Sequence, residues 1–395
     1  MRLSDRALRL APSATLEVVA KAKELKRSGK PVISFGAGEP DFSSPAAAIL
    51  AAKDSLDRGE THYTPTTGIP ELKIAVQDYY RKHFSLDYET GEILVGCGAK
   101  PLLYEALACL LNPGDEVVLF APAWVSYVEQ IGLCDGKPVV VDTTANGFLP
   151  TAEMLEKAIS PRTVGILLNT PNNPTGAVYG RDLLEEIGRI AEKRGLWIIF
   201  DEIYERLVYK DAQHHNILSV VPSLRASTLL VNGVSKAYAM TGWRIGYALG
   251  PKDLVDKMGG IQGHLTSNPA AVSQWASVGA IREAEPDVEK MRRAFEERRE
   301  IILSALALMP HVSVTEPRGA FYVFVDATGC LGKTYRGQKI ASDLDLCKAL
   351  LEGEFVAAVP GSAFLKEGFL RFSYANSTEE IREGMTRFHR FLEEL

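Results

Sequence analysis

Residues 232–247, Asn-Gly-Val-Ser-Lys-Ala-Tyr-Ala-Met-Thr-Gly-Trp-Arg-Ile-Gly-Tyr, hold the two cations best placed for chemistry. Lys236 follows the apolar run 229–231 and Arg244 opens another that ends at 249, so both are expected at strand ends. A lysine at the mouth of a sheet, among small and apolar residues, loses hydration; its pKa falls and its amine becomes available for Schiff-base formation. A solvated lysine that merely ends a strand is the plain alternative, since most lysines are exposed. The other segments decide between the two.

In open α/β sheets ligands bind beyond the carboxyl ends of the strands, so the residues behind each apolar run matter most. Run 93–95 leads into Gly96-Cys97-Gly98-Ala99-Lys100-Pro101 at the head of a helical pattern. Gly98, Ala99 and Lys100 there offer N–H groups to an anion, and the missing donor of Pro101 costs little. The turn lacks the Gly-Lys-Ser/Thr of a P-loop, which weakens ATP and dinucleotide readings, and a tight strand-to-helix turn explains it as well. Run 164–168 leads into Asn169-Thr170-Pro171-Asn172-Asn173-Pro174, where the prolines hold Asn173 extended and its amide fixed in direction. Asparagine is also an ordinary turn former. Asp201 stands behind the five apolar residues 196–200, and a carboxylate buried there needs a cation or several donors. Helix capping would explain Asp201 but not Tyr204 beside it. Arg371 lies inside the apolar run 369–374, suited to two-pronged binding of a carboxylate or phosphate, or to a structural ion pair. The Gly/Pro-rich turn 36–42, which includes Gly38, can offer N–H groups to a carboxylate or serve as a plain loop. Ser13 and Thr15 read first as helix N-caps.

These residues need a scaffold. A chain of 395 residues is too long for one small core, so a large domain and a smaller one are expected. Seven apolar or β-branched runs, at 93–95, 116–120, 138–141, 164–168, 196–200, 228–231 and 244–249, alternate with helical patterns at 100–111, 125–133, 151–159 and 181–194. That alternation predicts a mostly parallel sheet covered on both faces. Past Gly250 come helices, among them a long charged one at 286–308, and strands at 320–325, 355–359 and 369–374, an α+β texture. The helix at 12–28 precedes the regular alternation and goes with this second unit. The expected division is a large domain, 46–285, and a discontinuous small domain, 1–45 with 286–395.

Hydrophobic residues at 46% and charged residues at 24% exclude a disordered chain. A net charge of −6, with the basic residues scattered, argues against nucleic acid as a partner. The five cysteines are odd in number and form no Cys-x-x-Cys, as expected of free thiols in a reducing compartment. Seven histidines yield one close pair, His214 and His215, whose side chains diverge, so no metal site is expected. Arg2, Asp5, Arg6 and Arg9 precede no apolar leader, and no run approaches a membrane span, which points to the cytoplasm and away from membranes.

Together the parts specify one cofactor. A helix N-terminus with Arg244 can bind phosphate, Asp201 can pair with a cationic ring nitrogen and Lys236 can form an imine, which are the needs of a pyridoxal-phosphate site. An opposite charge shifts a pKa by about 1 to 3 units, so Asp201 would keep a pyridine nitrogen protonated.

The chain resembles the class I aminotransferases of the pyridoxal-phosphate fold type I group, from Pro12-Ser13-Ala14-Thr15 almost to its C-terminus. The resemblance is carried by Ala37-Gly38-Glu39-Pro40-Asp41-Phe42, Asn172-Asn173-Pro174-Thr175-Gly176, Asp201-Glu202-Ile203-Tyr204, Ser235-Lys236, Gly242-Trp243-Arg244-Ile245-Gly246 and Arg371. It implies an α/β fold of that type, with a seven-stranded, mostly parallel sheet between helices and a smaller α+β domain. Lys236 would be the Schiff-base lysine and later the base of a 1,3-proton shift, with Asp201 on the ring nitrogen. Tyr204 and Asn173 would bond the phenolic oxygen and Trp124 would stack on the ring. Gly98, Ala99, Lys100 and Arg244 would lie around the phosphate, Ser235 would be a further cofactor contact, and Tyr63 would arrive from the second subunit of a homodimer. Arg371 would take the substrate α-carboxylate, helped by Gly38 and Asn173.

Within that family the chain is most similar to bacterial aspartate aminotransferases of a subgroup that includes aspartate/prephenate enzymes. There Thr15 and Lys100 would hold the distal carboxylate, next to Trp124. Departures are Gly233 where the family has a serine, three residues before the lysine, and Pro101 after Lys100. The implied activity is ping-pong transamination between aspartate or glutamate and a 2-oxo acid such as 2-oxoglutarate. Rivals on the same fold are an aromatic or alanine-type aminotransferase and a carbon–sulfur β-lyase. A non-catalytic regulatory protein that binds the cofactor is the rival of another class; it would carry a DNA-binding segment, and this chain begins almost at once with family sequence.

Overall fold

The computed structural model describes residues 2–8, 14–210 and 212–395, except the side chains of 5, 6 and 14–19. Its large sheet is built from β1 (Ile93–Gly96), β2 (Glu116–Ala121), β3 (Lys137–Asp142), β4 (Thr163–Asn169), β5 (Trp197–Asp201), β6 (Thr228–Gly233) and β7 (Gly246–Leu249). The seven lie in the order β1-β7-β6-β5-β4-β2-β3. All neighbours run parallel except β7, which is antiparallel to both β6 and β1. Each of the seven runs expected between 93 and 249 is thus a strand of one sheet. The last is shorter than expected: Arg244 does not open β7 but precedes it, in the left-handed region at φ 56°.

Continuous burial along β1, β2, β6 and β7 follows from helices on both faces. Alternate residues divide between the two sides, as strand geometry requires. Ile93, Val118, Ile166, Ile198 and Leu230 pack on one face with Leu184 and Ile187 of the helix Arg181–Arg194. Leu94, Val117, Leu167, Ile199 and Leu229 pack on the other with Leu103 of Ala99–Leu110 and Met258 of Lys252–Leu265. Only small residues allow some of these approaches. Gly165 on β4 is in register with Trp197 on β5, and a Cβ at 165 would overlap the indole ring.

A second, four-stranded antiparallel sheet contains Val359–Pro360, Phe369–Ser373, Tyr322–Asp326 and Ser313–Val314. The long helix Glu285–Leu306 packs on it through Met291, Phe295 and Ile302, beside Ile381, Met385 and Phe388 of Thr378–Glu393. Strand Ile33–Ser34 pairs in parallel with Val356–Ala357, so the N-terminal segment packs with the last third of the chain. The single strand expected at 355–359 is two short strands in different sheets. No helix among the described residues is long and apolar enough to cross a membrane.

Gly165→Ala is expected to cost about 1–3 kcal/mol, because the added methyl must displace a ring held between two strands. Urea unfolding of the variant beside the parent measures this as a lower midpoint at unchanged slope.

Candidate active site

The parallel strands of the large sheet end at one cavity of about 360 Å³, which is closed by residues of the four-stranded sheet and the N-terminal segment. A more open groove of about 680 Å³ between the helices Glu285–Leu306 and Thr378–Glu393 is larger but mostly apolar. The chemistry-bearing residues converge on the smaller one. Behind β2 comes Trp124, at the end of β4 Asn169 with Asn173 behind it, at the end of β5 Asp201 with Tyr204 behind it, and behind β6 Ser235 and Lys236. Ala99, Lys100, Arg244, Gly38, Tyr322 and Arg371 complete the wall.

Lys236 sits in the one-turn helix Val234–Ala237, and its Nζ donates to the Gly38 carbonyl at 2.5 Å. Burial lowers its pKa to about 8, with Glu39 nearby opposing the shift. Asp201 is 3% exposed. Its Oδ2 accepts from the Tyr127 hydroxyl at 2.7 Å and its Oδ1 from the Ile203 N–H at 3.1 Å. Burial still raises its pKa to about 6, because both donors are neutral and bonds of that kind do not offset lost hydration. Behind it, fully buried Glu202 accepts from Tyr80 at 2.7 Å and from the Asn216 amide at 3.0 Å, and shares a 2.8 Å bond with His214 Nε2. That network fixes the turn leaving β5.

Arg371 settles one open alternative. Nη1 donates to Asn173 Oδ1 and Nη2 to the Gly36 carbonyl, each at 3.0 Å, so its partners are neutral and it forms no ion pair among the described residues. Its Nε, also buried, has no hydrogen-bond partner among them. The guanidinium lies 4.4 Å from the Tyr322 ring centroid and 4.8 Å from that of Phe364. Burial lowers its pKa.

At the turn after β1, Gly98 has φ +98° and caps the helix Ala99–Leu110. A Cβ there would run into the Arg244 guanidinium, and one on Gly246 would sit on the Ala99 N–H. These glycines let the arginine and the helix N-terminus reach one spot, which is an anion cradle. Arg244 donates to Thr241 O at 3.0 Å and Cys97 O at 3.5 Å. Lys100 holds its ammonium 4.5 Å from the Trp124 ring centroid, and burial, with Arg244 adding repulsion, lowers its pKa. Gly233 has a local cause too: a side chain there would meet the Ile245 carbonyl at 2.8 Å.

Tyr63, expected at the site of a second subunit, does not line the cavity of its own chain. It is 91% exposed and borders a separate concavity with His62 and Asn268. Ser13 lies outside the described residues, and Thr15 falls in the helix Ala14–Arg27 with its side chain outside them. Tyr127 and Tyr322 were not singled out in the sequence. Neither gives a local sign: Tyr322 is placed at the site by the pairing of its strand with that of Arg371, whose register partner is Phe324, and that register shows only in the fold. No group of three or more His, Cys, Asp or Glu residues among those described could hold a metal ion.

Residues 30–388 match the family described as aminotransferase class I and II, and the chain belongs to that family of amino-group-transferring enzymes. It is 43% identical to an aspartate aminotransferase of Bacillus sp. (strain YM-2) over 99% of both chains. An aspartate/prephenate aminotransferase of Cereibacter sphaeroides is 44% identical over 98% of both. The crystal structure of the aspartate aminotransferase from Rhizobium meliloti superposes with a TM-score of 0.96 at 41% identity, covering 100% of each chain.

Folding raises the proton affinity of Asp201 above the ordinary carboxylate value. Its stabilising contribution is therefore complete below about pH 4 and is lost as pH rises through about 6. Asp201→Asn removes that loss. Ligand-free protein with this substitution should be about 2–3 kcal/mol more stable than the parent at pH 8 and roughly half as much at pH 5, as read by urea unfolding at both pH values.

Proposed function

We propose that the cavity binds pyridoxal 5′-phosphate and transfers amino groups from aspartate or glutamate to a 2-oxo acid such as 2-oxoglutarate, in two ping-pong half-reactions. The observation that carries this reading is a desolvated lysine and a buried carboxylate held by neutral donors, both facing one cavity beside an anion cradle. When bound, the cofactor supplies an electron sink for negative charge developing at the amino acid Cα. Asp201, held by Tyr127 and the Ile203 N–H, pairs with its cationic ring nitrogen, a partner that relieves the cost of the buried carboxylate. The N–H groups of Gly98, Ala99 and Lys100, with Ser235 and Arg244, take the phosphate. Trp124 stacks on the ring, and Tyr204 and Asn173 bond the phenolic oxygen. Asn173 Oδ1 accepts from Arg371, which leaves its Nδ2 to donate.

Lys236 acts first as nucleophile and then as base. Its lowered pKa raises the fraction of free amine near neutral pH. Arg371, with Gly38 and Asn173, binds the substrate α-carboxylate. Lys100 and Thr15 recognise the distal carboxylate. Tyr63, exposed on its own chain, reaches the site of a second subunit, so the enzyme is a homodimer with shared sites. We assign 46–285 to a large domain, 1–45 with 286–395 to a small one, and the protein to the cytoplasm, in keeping with cysteines that are odd in number and form no Cys-x-x-Cys. Acceptance of prephenate is a second reading, favoured by the Cereibacter sphaeroides relative. The β-lyase, aromatic, alanine-type and non-catalytic readings gain nothing from the relatives.

Lys236→Ala should abolish the covalently held cofactor, seen as loss of its lysine-dependent visible absorbance in purified protein; retention of that spectrum refutes the role of Lys236. Lys100→Ala should lower the half-reaction rate with aspartate on the order of 10- to 100-fold while changing that with alanine little. Equal rates with aspartate and alanine in the parent would refute recognition of a distal carboxylate.

A further inference from the structure

Tyr322, on the strand Tyr322–Asp326 of the four-stranded sheet, faces the cavity and touches two parts of it at once. Its ring lies against Arg371, with the guanidinium 4.4 Å from the centroid. Its hydroxyl lies 3.0 Å from the hydroxyl of Tyr204. Burial pushes both phenols above their ordinary range, so both are neutral and one donates to the other. Each hydroxyl has one proton to give, and a phenolate oxygen can only accept, so when Tyr204 donates to the cofactor it is Tyr322 that donates to Tyr204. Tyr204 then accepts, and keeps its own proton to give elsewhere. A hydroxyl that accepts a hydrogen bond donates a stronger one.

We propose that Tyr322 is a positioning residue acting through Tyr204: it strengthens the bond Tyr204 gives the cofactor's phenolic oxygen and thereby lowers the proton affinity of the Lys236 nitrogen in the loaded enzyme. A stronger donor at that oxygen withdraws electron density from the atom that shares the proton with Lys236. The ring of Tyr322 has a separate task, which is to hold the plane of the guanidinium that meets the substrate carboxylate. This inference rests on the proposed contact between Tyr204 and the cofactor. The charged groups that act on Lys236 are Glu39, Arg371, Arg244 and Asp201, and Tyr322→Phe changes none of them. A shift in the titration of Lys236 therefore reports the pair of hydroxyls.

The test is a spectrophotometric pH titration of the cofactor-loaded parent, Tyr322→Phe, Tyr204→Phe and the double variant. Tyr322→Phe should raise the midpoint by about 0.3 to 1 unit, Tyr204→Phe should raise it further, and the double variant should match Tyr204→Phe. A shift in Tyr204→Phe with none in Tyr322→Phe overturns the inference and leaves the cofactor reading standing. No shift in Tyr204→Phe overturns the Tyr204 contact itself, and the inference with it. Additive shifts in the double variant exclude a route through Tyr204. The ring is tested by titrating the loaded enzyme with maleate, a dicarboxylate. Tyr322→Leu should weaken binding about 3- to 30-fold and Tyr322→Phe several-fold less. Equal losses in the two variants would overturn the role of the ring. Should Tyr322→Leu fail to fold, the hydroxyl arm still decides the main claim.

Discussion

The site depends on charges removed from water and given only neutral partners. Asp201 holds a tyrosine and a backbone N–H, Lys236 a backbone carbonyl, and Arg371 an amide oxygen and another carbonyl. None of the three is neutralised by direct contact with an opposite charge among the described residues, although each is buried enough for its proton affinity to move. Such an arrangement is costly in the isolated chain and favourable once a ligand brings the missing charges. The rest of the fold can be understood as whatever keeps these groups from reaching one another.

The parallel sheet does much of that work. Strands β4, β5 and β6 end side by side and deliver Asn169, Asp201 and, one turn later, Lys236 to the same edge at fixed spacing. Glycines at 98, 233 and 246 let backbones come closer than any side chain allows, which brings the helix N-terminus and Arg244 together. The network around Glu202 anchors the turn behind Asp201, so the carboxylate is aimed by a structure beneath it as well as by the strand that carries it.

Much of this was legible in the chain because each strand is a continuous apolar run followed at once by a polar residue. That pattern located Asp201, Asn173 and Lys236 behind neighbouring strands, Arg371 stood out as a cation inside an apolar run, and alternation with helical patterns identified the sheet. Contacts between distant segments were not legible. Nothing near Tyr127 announces that its hydroxyl reaches Asp201, 74 residues away. The bond between the hydroxyls of Tyr204 and Tyr322 spans 118 residues. Strand ends were misjudged where backbone geometry overrides side-chain pattern, as at Arg244, whose left-handed conformation stops β7 from starting there. The run 355–359 reads as one strand although it serves two sheets, because local apolarity does not say which partner a residue pairs with.

The parallel pairing of Ile33–Ser34 with Val356–Ala357 bears on how the chain is made. On a ribosome, residues 93–249 hold every strand of the large sheet and can close it while the remainder is still unsynthesised. Phe35 has to wait: its ring packs against Phe372, 5.6 Å away, and Gly384 is small where it would otherwise strike that ring. The apolar segment 33–35 therefore stays unpaired until residues 356–372 have emerged. Contacts of such long sequence separation are slow to form and leave apolar surface exposed to aggregation meanwhile. The same late event brings the carbonyl of Gly36 to Arg371, so that guanidinium gains one of its two partners only after the strand Phe369–Ser373 has been made.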